Sequence, residues 1–165
     1  MPERNDVAPD GLLASLVGVA NGTTEPMTTG INVILTLAGQ TVSGFIIPNW
    51  QWHQEVEAID RQTAQEAGVE AETPILADLF KSAKEGALQQ RDEERAVMEA
   101  SEQWAHRYQK VLCEADPVAF IHLRDARVFV PGQHAIPTSG MFWRGRLGQI
   151  VGWSYGVWSV TETTD

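Results

Sequence analysis

The chain has 165 residues, 43% of them hydrophobic and 21% charged, which suits one ordinary domain with a sizeable core and excludes a wholly disordered chain. Its 12 Lys and Arg stand against 22 Asp and Glu, a formal net charge of −10, the opposite sign to that expected of a polyanion-binding protein, so nucleic acid is disfavoured. No apolar run approaches the ~18 residues of a membrane-spanning helix. The stretch Leu12 to Ala20 lacks the basic flank of a signal peptide, and the single cysteine, Cys113, has no partner for an intramolecular disulfide, so a cytoplasmic protein is expected.

The charge is unevenly spread. Residues 1 to 53 carry one base and four acids, residues 54 to 116 seven bases and fifteen acids, and residues 117 to 165 four bases and three acids. An acidic middle third is followed by a mildly basic last third.

Asp10 is placed to cap a short helix in which Leu12, Leu13, Leu16, Val17 and Ala20 share a face, and Asn21-Gly22 is expected to end it with a positive φ. The alternation of Ile31, Val33, Leu35 and Leu37 predicts a strand. Ala38-Gly39-Gln40 predicts a turn, and Thr41 to Ile47 a return strand. Gly44 inside that return strand predicts a bend or bulge, and Pro48-Asn49 stops it.

From Trp50 the period becomes helical, with Trp52, Val56, Ile59 and Thr63 stepping by four, three and four towards an end near Gly68. Thr73-Pro74 starts a second helix carrying Leu76, Leu79, Phe80 and Ala83. The whole of residues 49 to 115 is expected to be helical in two or three pieces, a solvated acidic lobe that breaks at Asp116-Pro117. Strands resume over Ala119 to Val130, with a parity change near Arg124-Asp125 that requires a bulge. Pro131-Gly132 turns the chain, Ile136 to Gly140 reads as loop, and Met141 to Leu147 and Ile150 to Val160 form the last strands, with Trp143, Trp153, Tyr155 and Trp158 as their bulk.

The order predicts an α+β fold: a five-stranded antiparallel small β-barrel from residues 10 to 48 and 117 to 162, an N-terminal helix, and a helical insertion at 49 to 116 between strands two and three. Leu35 to Gly44, Leu123-Arg124-Asp125-Ala126 and Arg144-Gly145 give this layout a resemblance to the Sm-like (SH3-like) barrel.

No catalytic, cofactor or metal constellation is present in the sequence. The histidines at 53, 106, 122 and 134 never fall at ligand spacing. His122 is expected to be a half-buried, hydrogen-bonded strand residue rather than a ligand, and Cys113 a small apolar filler. The glycines of Gly145 to Gly152 have the wrong spacing for a phosphate loop, and Gly145 and Gly152 are expected at strand turns or bends. Arg144 and Arg146 share one strand face, opposite Trp143, Gly145 and Leu147, and this parity predicts Trp143 as a buried core anchor. With Arg124 and Arg127 they are the candidate interaction residues, able to meet the acidic lobe of another copy, and Trp50, Trp52 and Trp158 are candidates for aromatic contact surface.

Phe120-Ile121-His122-Leu123-Arg124-Asp125-Ala126-Arg127, Ile136-Pro137-Thr138, Trp143-Arg144-Gly145-Arg146-Leu147, Val151-Gly152-Trp153 and Gly156, with Leu35-Thr36-Leu37, Gly39 and Val42-Ser43-Gly44, together resemble the gas vesicle accessory protein U family. The segment Pro48-Asn49-Trp50-Gln51-Trp52 is richer in tryptophan than that pattern. The resemblance implies an accessory protein without enzymatic activity, made alongside gas vesicle shell proteins. Self-association and contact with shell or other gas vesicle proteins are then expected, in assembly or clustering, with no cofactor and no membrane. The alternative is an Sm-like ring that binds RNA through the Arg144-Gly145 strand.

Overall fold

The computed structural model describes residues 8–68, 75–99, 119–132 and 134–157. Expectations for the Thr73-Pro74 start, for residues 100 to 118 with Cys113 and His106, and for Trp158 lie outside these. The described elements run α1 (Gly11–Asn21), β1 (Ile31–Leu37), β2 (Gln40–Ile46), α2 (Asn49–Glu66), α3 (Ile75–Glu99), β3 (Phe120–Phe129), β4 (Ile136–Arg146), a 3₁₀ turn over Leu147–Gln149, and β5 (Gly152–Tyr155). The order of helix, hairpin, helical insertion and three strands is as the sequence predicts.

The five strands form one antiparallel sheet in the order β4-β3-β2-β1-β5. The expected closure into a barrel is not found: β4 and β5 are the two edges of an open sheet. Hydrophobic alternation dictates which face of each strand is buried, but not whether two edges meet, so an open and a closed sheet look alike in the sequence.

One face of the sheet carries the core. Val33, Leu35, Val42, Ile46, Ile121, Leu123 and Ala126 pack with Leu147 and with Leu13, Val17 and Ala20 of α1, all buried. The stripe of α1 is narrower than expected. Leu16 is only partly buried and Leu12 is 60% exposed, because a short helix resting on a sheet covers one row of side chains. Asp10 caps α1 as predicted, its Oδ1 accepting from the Leu13 N–H at 2.9 Å, and this bond holds the carboxyl below its usual range. Asp10→Ala should lower the midpoint of urea unfolding, and Asp10→Asn, which keeps an acceptor at the cap, should lower it less. At the other end Gly22 has φ −74, so the positive φ expected there is absent.

The bends lie where the sequence places them. Gly39 turns the hairpin at φ +83, and the β2–β3 register shifts between Ser43 and Phe45. A Cβ at Gly44 would sit 3.1 Å from the Ala126 Cα and the Arg124 carbonyl oxygen. Across from it β3 is irregular against β4 between Leu123 and Ala126, with Asp125 at φ 51. Two expectations need correction. Residues 136–140 belong to β4 rather than to a loop; Pro137 is tolerated because β4 is an edge strand, where a missing N–H costs no ladder bond. Gly145 is not at a bend but lies under the ring of Trp143, with which any Cβ would overlap. That ring packs against the core but is only partly buried, so Trp143 is not the fully buried anchor its strand parity predicted.

The helical insertion is α2 and α3 packed along one another. Its first turn is tied to α1 and to the loop before β1 by polar contacts. The Asn49 N–H donates to Asn21 Oδ1 (2.9 Å), and the Trp50 indole donates to the Thr23 carbonyl (3.1 Å). Buried Gln51 accepts from the Met27 N–H (2.7 Å) and donates to the Met27 carbonyl (3.1 Å) and to Glu55 (2.7 Å). Of the backbone donors at this helix start, Asn49 N–H is satisfied by Asn21 and Trp50 N–H by the Asn49 Oδ1 (2.7 Å), where the N-cap, Pro48, offers no side-chain acceptor.

Candidate functional site

The sheet face opposite the core carries the polar chemistry. In β3, Phe120 and His122 alternate with core-facing Ile121 and Leu123, and across the ladder they pair with Arg146 and Arg144. The four side chains therefore share the outer face. The Arg144 guanidinium lies 3.8 Å from the Phe120 ring centroid and that of Arg146 5.6 Å away, a stacked pair of cations on one aromatic plane. Both arginines are exposed on an edge strand, and no ion pair joins either to a carboxylate among the described residues.

Helix α2 covers the inner part of this face. Trp52 packs on His122 (centroids 5.4 Å apart), on His53 (5.1 Å) and on Phe80 of α3 (6.1 Å), and the two imidazoles lie 5.8 Å apart. His122 is 4% exposed. The hydrogen bond expected for it is absent: Nδ1 and Nε2 of His122, Nδ1 of His53 and Nε1 of Trp52 are all buried without a partner. Buried polar groups are normally satisfied, so four orphan nitrogens in one box set this region apart. Burial and the nearby Arg144 charge push His53 down to about 4. Burial, Arg144 and His53 push His122 down to about 3. Arg144 is itself lowered, by burial and by Arg146. Among the described residues the charges that act on these groups are those of Arg144, Arg146 and His53.

The remaining candidates fall elsewhere. Arg124 is tied inward, donating to the Thr28 carbonyl at 2.7 Å and pairing with Glu55 at 3.6 Å and Asp125 at 3.8 Å. It braces the α2 start against β3. Arg127 donates to the Thr138 carbonyl at 3.0 Å. Trp50 is 5% exposed and offers no free aromatic surface, because its ring clamps the loop before the hairpin. Trp52 is half-buried in the histidine box. Of the six candidates among the described residues, Arg144 and Arg146 come together as an exposed pair. His53, Phe80 and Phe120 were not singled out from the sequence. The available signal was His53 beside Trp52 at a helix start, but the register that sets His122 against Arg144 has no local trace.

No helix among the described residues is long and apolar enough to cross a membrane, and no group of three or more His, Cys, Asp or Glu among them is placed to hold a metal ion. No curated protein and no solved structure matches the chain. The family model described as "Gas vesicle protein GvpU-like" matches residues 10–158, which takes in α1, every strand of the sheet and the helical insertion. The chain belongs to the GvpU-like gas vesicle protein family.

Proposed function

We propose that this chain is a non-catalytic gas vesicle accessory protein that self-associates, contacts vesicle components and governs their assembly or clustering. The observation that supports self-association is the exposed pair Arg144 and Arg146 on edge strand β4, which has no carboxylate partner among the described residues. The acidic partner is supplied by the same chain: α2 and α3 hold ten acids against five bases. A lobe-to-sheet contact between copies is head-to-tail, and such a contact propagates when its rotation does not close. Each exposed ion pair contributes about 0–1 kcal/mol, so several must act together and salt weakens them. RNA binding through the same strand is the weaker reading, because the net charge of −10 opposes a polyanion.

Sedimentation velocity at low and high salt tests this. The wild-type chain should form salt-sensitive oligomers, and Arg144→Glu with Arg146→Glu should abolish them while Arg91→Glu with Arg95→Glu changes them little. A strict monomer at high concentration and low salt overturns self-association. Salt-resistant oligomers unaffected by the β4 pair overturn the charge-based contact.

A further inference from the structure

We infer that the box formed by Trp52, His53 and His122, with Arg144 at its mouth, is a binding site for a small oxyanion of the phosphate class. This goes beyond the accessory role and does not rest on it, although Arg144 also belongs to the pair proposed above for self-association. The site is built from two helices and two strands: Trp52 and His53 from α2, Phe80 from α3, His122 from β3 and Arg144 from β4. His122 is buried to all but 4% with both ring nitrogens unpartnered, and one nitrogen each of His53 and Trp52 shares that state. The indole N–H is a donor only, and an imidazole carries one N–H when neutral and two when protonated. The indole N–H, the N–H of each imidazole and the guanidinium of Arg144 bring several donors to one part of the fold, and an oxyanion is the ligand whose acceptors match them.

The charges around the box point the same way. Arg146 adds a second cation beside Arg144 over Phe120. The carboxylates on the adjoining part of α2 are engaged elsewhere: Glu55 with Arg124 and Gln51, Glu57 with Arg61 and Lys84. Lys84 of α3 is thereby held at Glu57, at 3.5 Å. A bound dianion would supply the missing counter-charge, and the depressed histidines would take up protons as it enters. Binding should therefore strengthen as pH falls. Arg144, paired with His122 across the ladder, is the exposed member, and a compact oxyanion, which accepts several hydrogen bonds at once, should be preferred to chloride.

The test uses the full chain with inorganic phosphate, sulfate and adenosine triphosphate as probes, against chloride at matched ionic strength. Histidine ring signals are followed by NMR, and thermal unfolding is followed in parallel. The expected result is saturable movement of the His122 and His53 ring signals with phosphate or sulfate, and a rise in unfolding temperature. Sulfate stays fully ionised over this range, so pH dependence of its binding reports the histidines; its affinity should be about five- to tenfold greater near pH 5.8 than near pH 7.5. Saturation by the free ions assigns the site to a free oxyanion. Saturation by the nucleotide alone assigns it to a phosphate borne on a larger molecule, and both support the inference. Arg144→Gln should remove the effect and Arg127→Gln should leave it intact. Ring signals in the wild-type chain that no probe moves saturably would overturn it, a readout that does not depend on any variant folding.

Discussion

Gly140→Ala should cost about 2–4 kcal/mol in urea unfolding, well above the cost of the same change at Gly39. Both glycines have positive φ, +80 and +83, so both substitutions carry the left-handed penalty of an L-residue, about 1 kcal/mol. They differ in what the new methyl meets. At Gly39 nothing lies within 4 Å, whereas at Gly140 the Cβ would stand 2.8 Å from the Asp125 Cα and 3.1 Å from its carbonyl carbon. Those are backbone atoms of the neighbouring strand, at a residue itself held at φ 51. Neither strand can yield without disturbing the irregular pairing between Leu123 and Ala126, which bends the outer part of the sheet. Equal costs at the two positions would show that β3 and β4 do not meet there in the register described.

Acidification should destabilise the chain above the range in which its carboxylates titrate. His122 lies at about 3 and His53 at about 4, against an ordinary value of 6.5. A depressed histidine favours the folded state while both states are neutral. As pH falls below about 6.5 the unfolded chain takes up protons that the folded chain refuses, so stability falls by up to about 1.4 kcal/mol per pH unit per histidine. For His122 the loss between about pH 7 and pH 5 comes to about 2 kcal/mol, and His53, less deeply buried, contributes a smaller share. Asp10 is also lowered, chiefly by its bond from the Leu13 backbone, and Glu57, which burial alone would raise, is lowered by Arg61 and Lys84 together. Their contribution is lost only below their ordinary values of 3.8 and 4.5. Urea unfolding in chloride buffers should show the slope in the wild-type chain and about half of it or less in His122→Phe, where an apolar ring keeps the packing on Trp52. Stability that stays flat from pH 7 to pH 5 would show that His122 is not enclosed between α2 and β3.

The periodicities of the chain determined its elements and their order. Val33, Leu35, Val42 and Ile46 alternate as a sheet face must, and the change of parity at Arg124-Asp125 announced the bulge that Asp125 occupies at φ 51. Asp10 before an apolar run specified a cap, and the step from a period of two to one of nearly four at Trp50 specified the inserted helices. These signals are local, and local geometry follows them. Tertiary structure decided the remainder, because pairing and packing join residues far apart in the chain. That the sheet stays open depends on where its edges point, and that Trp50 is spent on clamping a loop depends on Thr23, 27 positions away. Arg124 reads as a free basic residue until the fold sets it between Thr28 and Glu55. His122 reads as an ordinary strand histidine until the β3–β4 register places Arg144 beside it and α2 lays Trp52 and His53 over it. A histidine's charge is set by what desolvates it and by the charges in its reach. Here all of those come from other elements.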